Sequence, residues 1–224
     1  MRNDSDDHDN FNRDDFFRTV AGRGLYEMKV ERSAFIAQAG PAASEDEARA
    51  FVAAVRTEHR DATHNCFAWR IGHTGGEGVP EATSEYFNDQ GEPSGTAGRP
   101  ILGAISRLGL TDTVVVVTRY FGGKKLGVRG LIESYGQAAT GALEAAGAVT
   151  RENRSQAAVA AQYADYSTLL HRLERHGARV EGSYFGAEVE LVISAATSRL
   201  PAVIAELEAE RLIRRLERDS GVSQ

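Results

Sequence analysis

Residues 88–130 read NDQGEPSGTAGRPILGAISRLGLTDTVVVVTRYFGGKKLGVRG, two glycine-rich basic stretches on either side of a run of four valines. How these three pieces fit together decides the fold. Thr113–Thr118 is apolar at successive positions, so it predicts a central strand with both faces covered. Pro100 suits the first turn of a helix whose apolar face is Ile101, Leu102, Ile105 and Leu108. From Gly130, LIESYGQAATGALEAAG predicts a second helix with Leu131, Ile132, Tyr135, Ala139 and Leu143 inward.

Upstream, Leu25–Ala39 predicts a strand pair bending at Glu31–Ser33, and Ser44 and Glu47 have the spacing of a capping box. Ala48, Phe51, Val52 and Val55 then form a helical stripe; His64–Ile71 predicts a strand and Gly72–Ser84 an exposed loop. Downstream, RENRS at 151–155 is a polar break and an expected domain boundary. Beyond it come strand Ala157–Tyr163, helix Tyr166–His176, strands Ala178–Ser183 and Ala187–Ser194, helix Arg199–Glu210 and strand Leu212–Glu217. The order βαββαβ, with alternation in Val189, Leu191 and Ile193, suggests a ferredoxin-like domain. The fold class expected is therefore α+β, with a disordered acidic tail at 1–20, an N-terminal domain at 21–150 and a C-terminal domain at 156–219.

The chain has 224 residues and a net charge of -6, which argues against nucleic-acid binding over the whole surface. The charges are uneven. Residues 1–15 carry six Asp against two Arg, a balance of -4, whereas residues 94–136 carry Arg99, Arg107, Arg119, Lys124, Lys125 and Arg129 against Asp112 and Glu133, a balance of +4. A basic island thus coincides with the glycine-rich stretch. The single cysteine, Cys66, excludes an internal disulfide framework and a multi-cysteine zinc site. No apolar run approaches the roughly 20 residues of a membrane-spanning helix, and the N-terminus is polar, so a cytoplasmic protein without membrane contact is expected.

Gly91, Gly95 and Gly98 precede a helix start, where free N–H groups and the helix dipole favour an anion. The alternative is a tight loop that packs under the sheet. The second loop offers Arg119, Lys124, Lys125 and Arg129 after a buried strand and before another helix start. Gly123-Lys124-Lys125 lacks the Ser or Thr of a Walker A loop, and GxGxxG spacing is absent, so mononucleotide binding by those routes is not expected. An extended phosphate backbone fits better, with Tyr120 and Phe121 either stacking on bases or packing in the core. His64 and Cys66, two apart on a strand, face one side, but such a pair rarely gives in-line geometry for a thiol nucleophile. His64 and Cys66 with Asp89 or Glu92 have no metal-site spacing, and Asp89 and Glu92 are either an acid/base pair or turn caps. No metal and no cofactor are expected.

The runs DQGEPSGTAGRPIL (Asp89–Leu102) and VVVVTRYFGGKKLGVRGLIESYG (Val114–Gly136), with ERSAFIA and DATHNCFAW upstream, resemble the signature of the IMPACT/YigZ family. The resemblance covers residues 25–150 and extends to the second domain of two-domain members. It implies an N-terminal domain like the second domain of small-subunit ribosomal protein five and a C-terminal domain like the last domain of elongation factor G. It also implies a link to translational control, which eukaryotic relatives exert by protein binding through an additional RWD module absent here. The matching motif positions are Asp89, Gly91, Glu92, Pro93, Gly95, Thr96, Ala97, Gly98, Pro100, Arg119, Tyr120, Gly122, Gly123, Leu126, Gly127, Gly130 and Tyr135. A departure is Gly127-Val128-Arg129-Gly130 where the family often has GTGG.

The expected function is a non-enzymatic protein that binds RNA, in preference to DNA, or a translation-related protein partner. Arg99, Arg119, Lys124, Lys125 and Arg129 would contact phosphates, while Gly95, Thr96, Gly98, Gly122 and Gly123 would present backbone N–H groups. The alternatives are an enzyme acting on a small phosphorylated or carboxylated metabolite through Asp89 or Glu92, and a protein–protein module in translational control.

Overall fold

The computed structural model of the chain describes residues 15–72 and 84–216. They divide into two compact units, one of residues 17–72 and 84–151, the other of 15–16 and 152–216. The architecture is mixed α+β.

In the first unit, strands β2 (Gly24–Val30), β3 (Ser33–Pro41), β4 (His64–Ile71), β5 (Ser84–Asn88) and β6 (Thr113–Tyr120) form one antiparallel sheet in the order β2-β3-β6-β4-β5. β6 is central, as its valines require. Val115 and Val117 face a core shared with helices α2 (Gly98–Arg107) and α3 (Gly127–Ala146), while Val114 and Val116 face α1 (Glu45–Glu58). Full burial of a valine contributes roughly 1.5 kcal/mol or more, so this one strand anchors a helical layer on each side. The β2–β3 bend falls at Glu31 and Arg32, both at positive φ. Ser44 caps α1, its Oγ accepting from Glu47 N–H at 3.2 Å, and Glu47 Oε2 accepts in return from Ala43 N–H at 2.8 Å.

Three expectations differ from what forms here. α3 begins at Gly127, three residues early, and its buried stripe is Leu131, Tyr135, Ala138, Ala139, Ala142 and Leu143. Ile132 is 41% exposed, because at 3.6 residues per turn it falls just off that stripe. The expected loop to Ser84 is followed by β5, an edge strand whose Tyr86 stacks on Trp69 at 4.7 Å between centroids; residues 73–83 of that loop lie outside the described residues.

The disordered acidic tail expected over 1–20 does not extend over its last five residues. Phe16–Val20 is strand β1, paired with β7 (Ala148–Glu152), because Phe16, Phe17 and Val20 supply apolar surface that the aspartates before them lack. Asp15 is buried, its carboxylate accepting from Ser198 N–H at 2.9 Å and Ser198 Oγ at 2.5 Å. Residues 1–14 lie outside the described residues.

In the second unit, β8 (Arg154–Ala161), α4 (Tyr166–Arg175), β9 (Arg179–Phe185), β10 (Val189–Ala196), α5 (Leu200–Ala209) and β11 (Arg214–Arg215) follow in the expected order. The sheet runs β11-β8-β10-β9 with antiparallel pairing throughout. Val189, Leu191 and Ile193 of β10 face its core beside Leu169, Leu173 and Leu207. The polar stretch 151–155 is mostly strand, shared between the end of β7 and the start of β8.

Candidate functional site

The loop between β5 and α2 carries Asp89 at its start and is closed on that side chain. Asp89 Oδ1 accepts from the N–H groups of Ala97 (3.0 Å) and Gly98 (2.8 Å), and Oδ2 from that of Gly95 (2.8 Å). The start of α2 has no cap from its neighbouring side chain, so the missing acceptor comes from eight or nine residues upstream. Gly91 and Gly95 sit at φ of +88° and +76°, backbone that an L side chain strains to adopt. Thr96 is buried and donates its N–H and Oγ to the Pro93 carbonyl. The expectation that Gly95, Thr96 and Gly98 present N–H groups to an external anion is therefore corrected: the anion at this helix start is Asp89. Held by three N–H groups, Asp89 caps this helix start.

Folding the loop down places Glu92 over β4 and β6. Its side chain is 4% exposed, and Oε1 accepts from Arg119 Nη1 at 2.5 Å and from the Tyr135 hydroxyl at 2.9 Å. His64 Nε2 lies 3.8 Å from the same oxygen. Oε2 accepts no hydrogen bond among the described residues. Sheet register explains the convergence: Phe35 on β3, Arg119 on β6 and His64 on β4 are directly opposite one another across three strands. Arg119 is itself buried; it also donates from Nη2 to Ser33 Oγ at 3.2 Å and lies within 5.5 Å of the Phe35 and Phe121 ring centroids. Expected at a phosphate, it instead neutralises Glu92, since a buried guanidinium requires a compensating charge.

Two residues on the α2/α3 side of the sheet complete the cluster. Cys66 donates from Sγ to the Asp89 carbonyl at 2.9 Å and lies 3.4 Å from the Tyr135 hydroxyl; burial pushes its thiol up to about 12. At neutral pH it is a protonated core residue without nucleophilic character. Burial likewise drives Tyr135 well above the ordinary tyrosine value, so it stays a hydrogen-bond donor to Glu92. His64 Nδ1 is 2.9 Å from the Gln90 carbonyl, which can only accept, so Nδ1 carries a proton and neutral His64 keeps its lone pair on Nε2.

Above this cluster is a cavity of about 410 Å³ walled by Pro93, Phe121, Leu126, Val128 and Leu131, with Lys125 and the start of α3 among its lining. Thr63 and His64 also line a second cavity of about 510 Å³, whose charged groups are Arg56 and Arg60 at the end of α1. No carboxylate lines this second cavity among the described residues. Phe121 is 45% exposed, which corrects the core-packing alternative for it. Tyr120 hydrogen-bonds with His59 Nδ1 at 3.1 Å and Asp61 at 3.4 Å.

The other expected basic contacts divide into paired and unpaired groups. Lys124 bonds to Glu31 at 2.7 Å and Arg129 to Glu133 at 2.8 Å, each on the surface. Arg99 and Lys125 are exposed with no ion pair among the described residues, as are Arg56 and Arg60, which sequence reasoning does not single out. Arg56 lies in the last turn of α1 and Arg60 just past its end, and two arginines four apart where an amphipathic stripe stops are the signal that could have found them. Gly122 serves packing: a Cβ there would land inside contact distance of the Arg32 carbonyl, and its N–H goes to Ser33 Oγ at 3.3 Å. Gly123, at φ +83°, faces open space. Among the described residues no group of three His, Cys, Asp or Glu could hold a metal ion, and no helix is long and apolar enough to cross a membrane.

Residues 31–143 match the model of the Impact N-terminal domain, and residues 159–209 match that of a domain of unknown function, DUF1949. The chain belongs to the IMPACT family. IMPACT family member YvyE of Bacillus subtilis is 42% identical over 60% of this chain and 58% of its own length. An IMPACT family member from Thermus thermophilus is 50% identical over 52% and 58% respectively. The chain thus spans little more than half the length of these curated relatives. A solved structure described as a hypothetical protein superimposes with TM-score 0.66 at 26% identity, covering 92% of this chain and 99% of that one.

Proposed function

We propose that this protein binds single-stranded RNA in connection with translation, through the face of its first unit that holds the two cavities, and that it is not an enzyme. The observation that carries this is the pair Arg56 and Arg60, exposed, unpaired among the described residues and lining a cavity without a carboxylate. Lys125 and the exposed Phe121 line the other cavity, which shares Thr63 and His64 with this one, so cations and an aromatic face line adjoining cavities. That is the chemistry of a phosphate track with a stacking platform. Arg119, Lys124 and Arg129 have smaller parts here, because their charge is already compensated. The family resemblance supplies the link to translation, and a translation-related protein on the same face is the competing partner.

We further read the second unit as ferredoxin-like, akin to the last domain of elongation factor G, and the first as akin to the second domain of small-subunit ribosomal protein five. The strand order β11-β8-β10-β9, in which β10 enters between the strands joined by α4, supports the first of these. A cytoplasmic location accords with both.

The test is fluorescence anisotropy with labelled single-stranded RNA across a salt series. Arg56→Ala with Arg60→Ala is expected to weaken binding and to reduce the salt slope by about 1.4, roughly 0.7 for each single-strand phosphate that is no longer neutralised. Unchanged affinity and slope in the double variant would sink this reading, and recovery of a nuclease-resistant complex would favour the protein partner.

A further inference from the structure

We infer that the cavity above Glu92 is a pocket for one unpaired guanine base. The inference rests on the RNA-binding reading for its strand context but on separate residues for its chemistry. Glu92 is a carboxylate with a 4% exposed side chain, one oxygen of which, Oε2, accepts no hydrogen bond among the described residues while the residue lines a cavity of about 410 Å³. A carboxylate oxygen that takes no protein donor, on a side chain lining a cavity, is open to a donor from a ligand. Arg119 already compensates its charge at 2.5 Å, so the ligand group that suits it is a neutral N–H donor and not a second cation.

His64 sharpens the choice. With Nδ1 committed to the Gln90 carbonyl, its neutral form turns a lone pair at Nε2 toward the same space, 3.8 Å from Glu92 Oε1. Oε2 belongs to the same carboxylate as the oxygen near Nε2, and both residues line the one cavity, so two acceptors on one wall favour a ligand edge with two adjacent donors. Guanine has one, N1–H beside the N2 amine. Adenine and cytosine set an acceptor next to their amine, and uracil flanks its single N–H with two carbonyls, so each leaves an acceptor facing an acceptor. The remaining walls suit a planar ring: Phe121 is 45% exposed at the cavity with the Arg119 guanidinium 5.3 Å from its centroid, and Pro93, Leu126 and Val128 are apolar. The volume falls within the ~300–1,000 Å³ of small-molecule sites. Lys125 on one side and Arg56 and Arg60 in the adjoining cavity are positioned for the phosphates that flank such a base.

The test is calorimetric titration of the full chain with GMP, IMP, AMP, CMP and UMP, followed by anisotropy with single-stranded RNA heptamers carrying one guanine or none. GMP is expected to bind at least about 10-fold tighter than AMP, CMP or UMP, with IMP, which lacks the N2 amine, in between. Phe121→Ala is expected to weaken GMP about five-fold or more by removing the stacking surface, and Glu92→Gln to abolish the preference. The comparison of GMP with IMP changes only the ligand, so it stands even if Glu92→Gln perturbs folding. Equal affinity for all five nucleotides, or none measurable, overturns the guanine pocket even where heptamers still bind through Arg56 and Arg60. A GMP preference with no binding of any heptamer upholds the pocket as a site for free nucleotide and overturns the RNA reading instead.

Discussion

Glu92 and Arg119 form the pair on which the centre of the first unit depends. Both side chains are at most 5% exposed, and the Glu92 oxygen that pairs with Arg119 also accepts from the Tyr135 hydroxyl. Glu92→Ala leaves a buried guanidinium without compensation, and a loss of about 3–5 kcal/mol is expected in urea denaturation. Arg119→Met in the same chain removes the stranded charge, so the double variant is expected to be more stable than Glu92→Ala alone; a double variant that loses the sum of the two single effects would show that the pair is not coupled. Little of this was legible beforehand. Asp89, Glu92 and Arg119 are recognisable as motif positions, but that Asp89 caps the N–H groups of Gly95, Ala97 and Gly98, and that Glu92 absorbs the charge of Arg119, depends on interactions made only when β5 has turned the loop back over β4. A sequence displays the charges of an island without displaying which of them are spent on each other.

At the scale of elements, the loop after β6 is held by close backbone approach more than by its lysines. Gly122 packs against the Arg32 carbonyl of the β2–β3 bend, where a methyl group has no room and the neighbour is main chain that cannot rotate away. Gly122→Ala is expected to cost about 1–3 kcal/mol and to loosen the loop that carries Phe121 and Lys125, read as faster amide exchange at 121–126 than in the parent protein. Gly123→Ala, at positive φ but in open space, is expected to cost about 1 kcal/mol without that local signature. The elements themselves were the most legible part. Strong periodicity locates β4 and β6 and the capping box locates α1, because these signals are local. α3 starts three residues before its apolar pattern does, because Gly127 and Gly130 look like loop; β5 is hard to see because SEYFN follows a glycine-rich stretch and has exposed positions at its centre.

Across the whole molecule, the first unit buries a hydrophobic cluster on each face of its sheet and the second buries one of its own. Trp69, the only tryptophan, belongs to the first unit, packed with Phe67 and Val114 against α1. Its fluorescence therefore reports on one unit, whereas far-UV circular dichroism reports on both. The two probes are expected to give non-coincident denaturation curves, and superimposable curves with a single slope would show that the units unfold as one. The loop at the start of α2 bears on how the first unit meets a ligand. Because Asp89 permanently occupies the position where other glycine-rich loops wait for a phosphate, the cost of ordering that backbone is met during folding. The wall it lends to the neighbouring cavity is ready-made, so a ligand there would meet backbone that needs no further ordering.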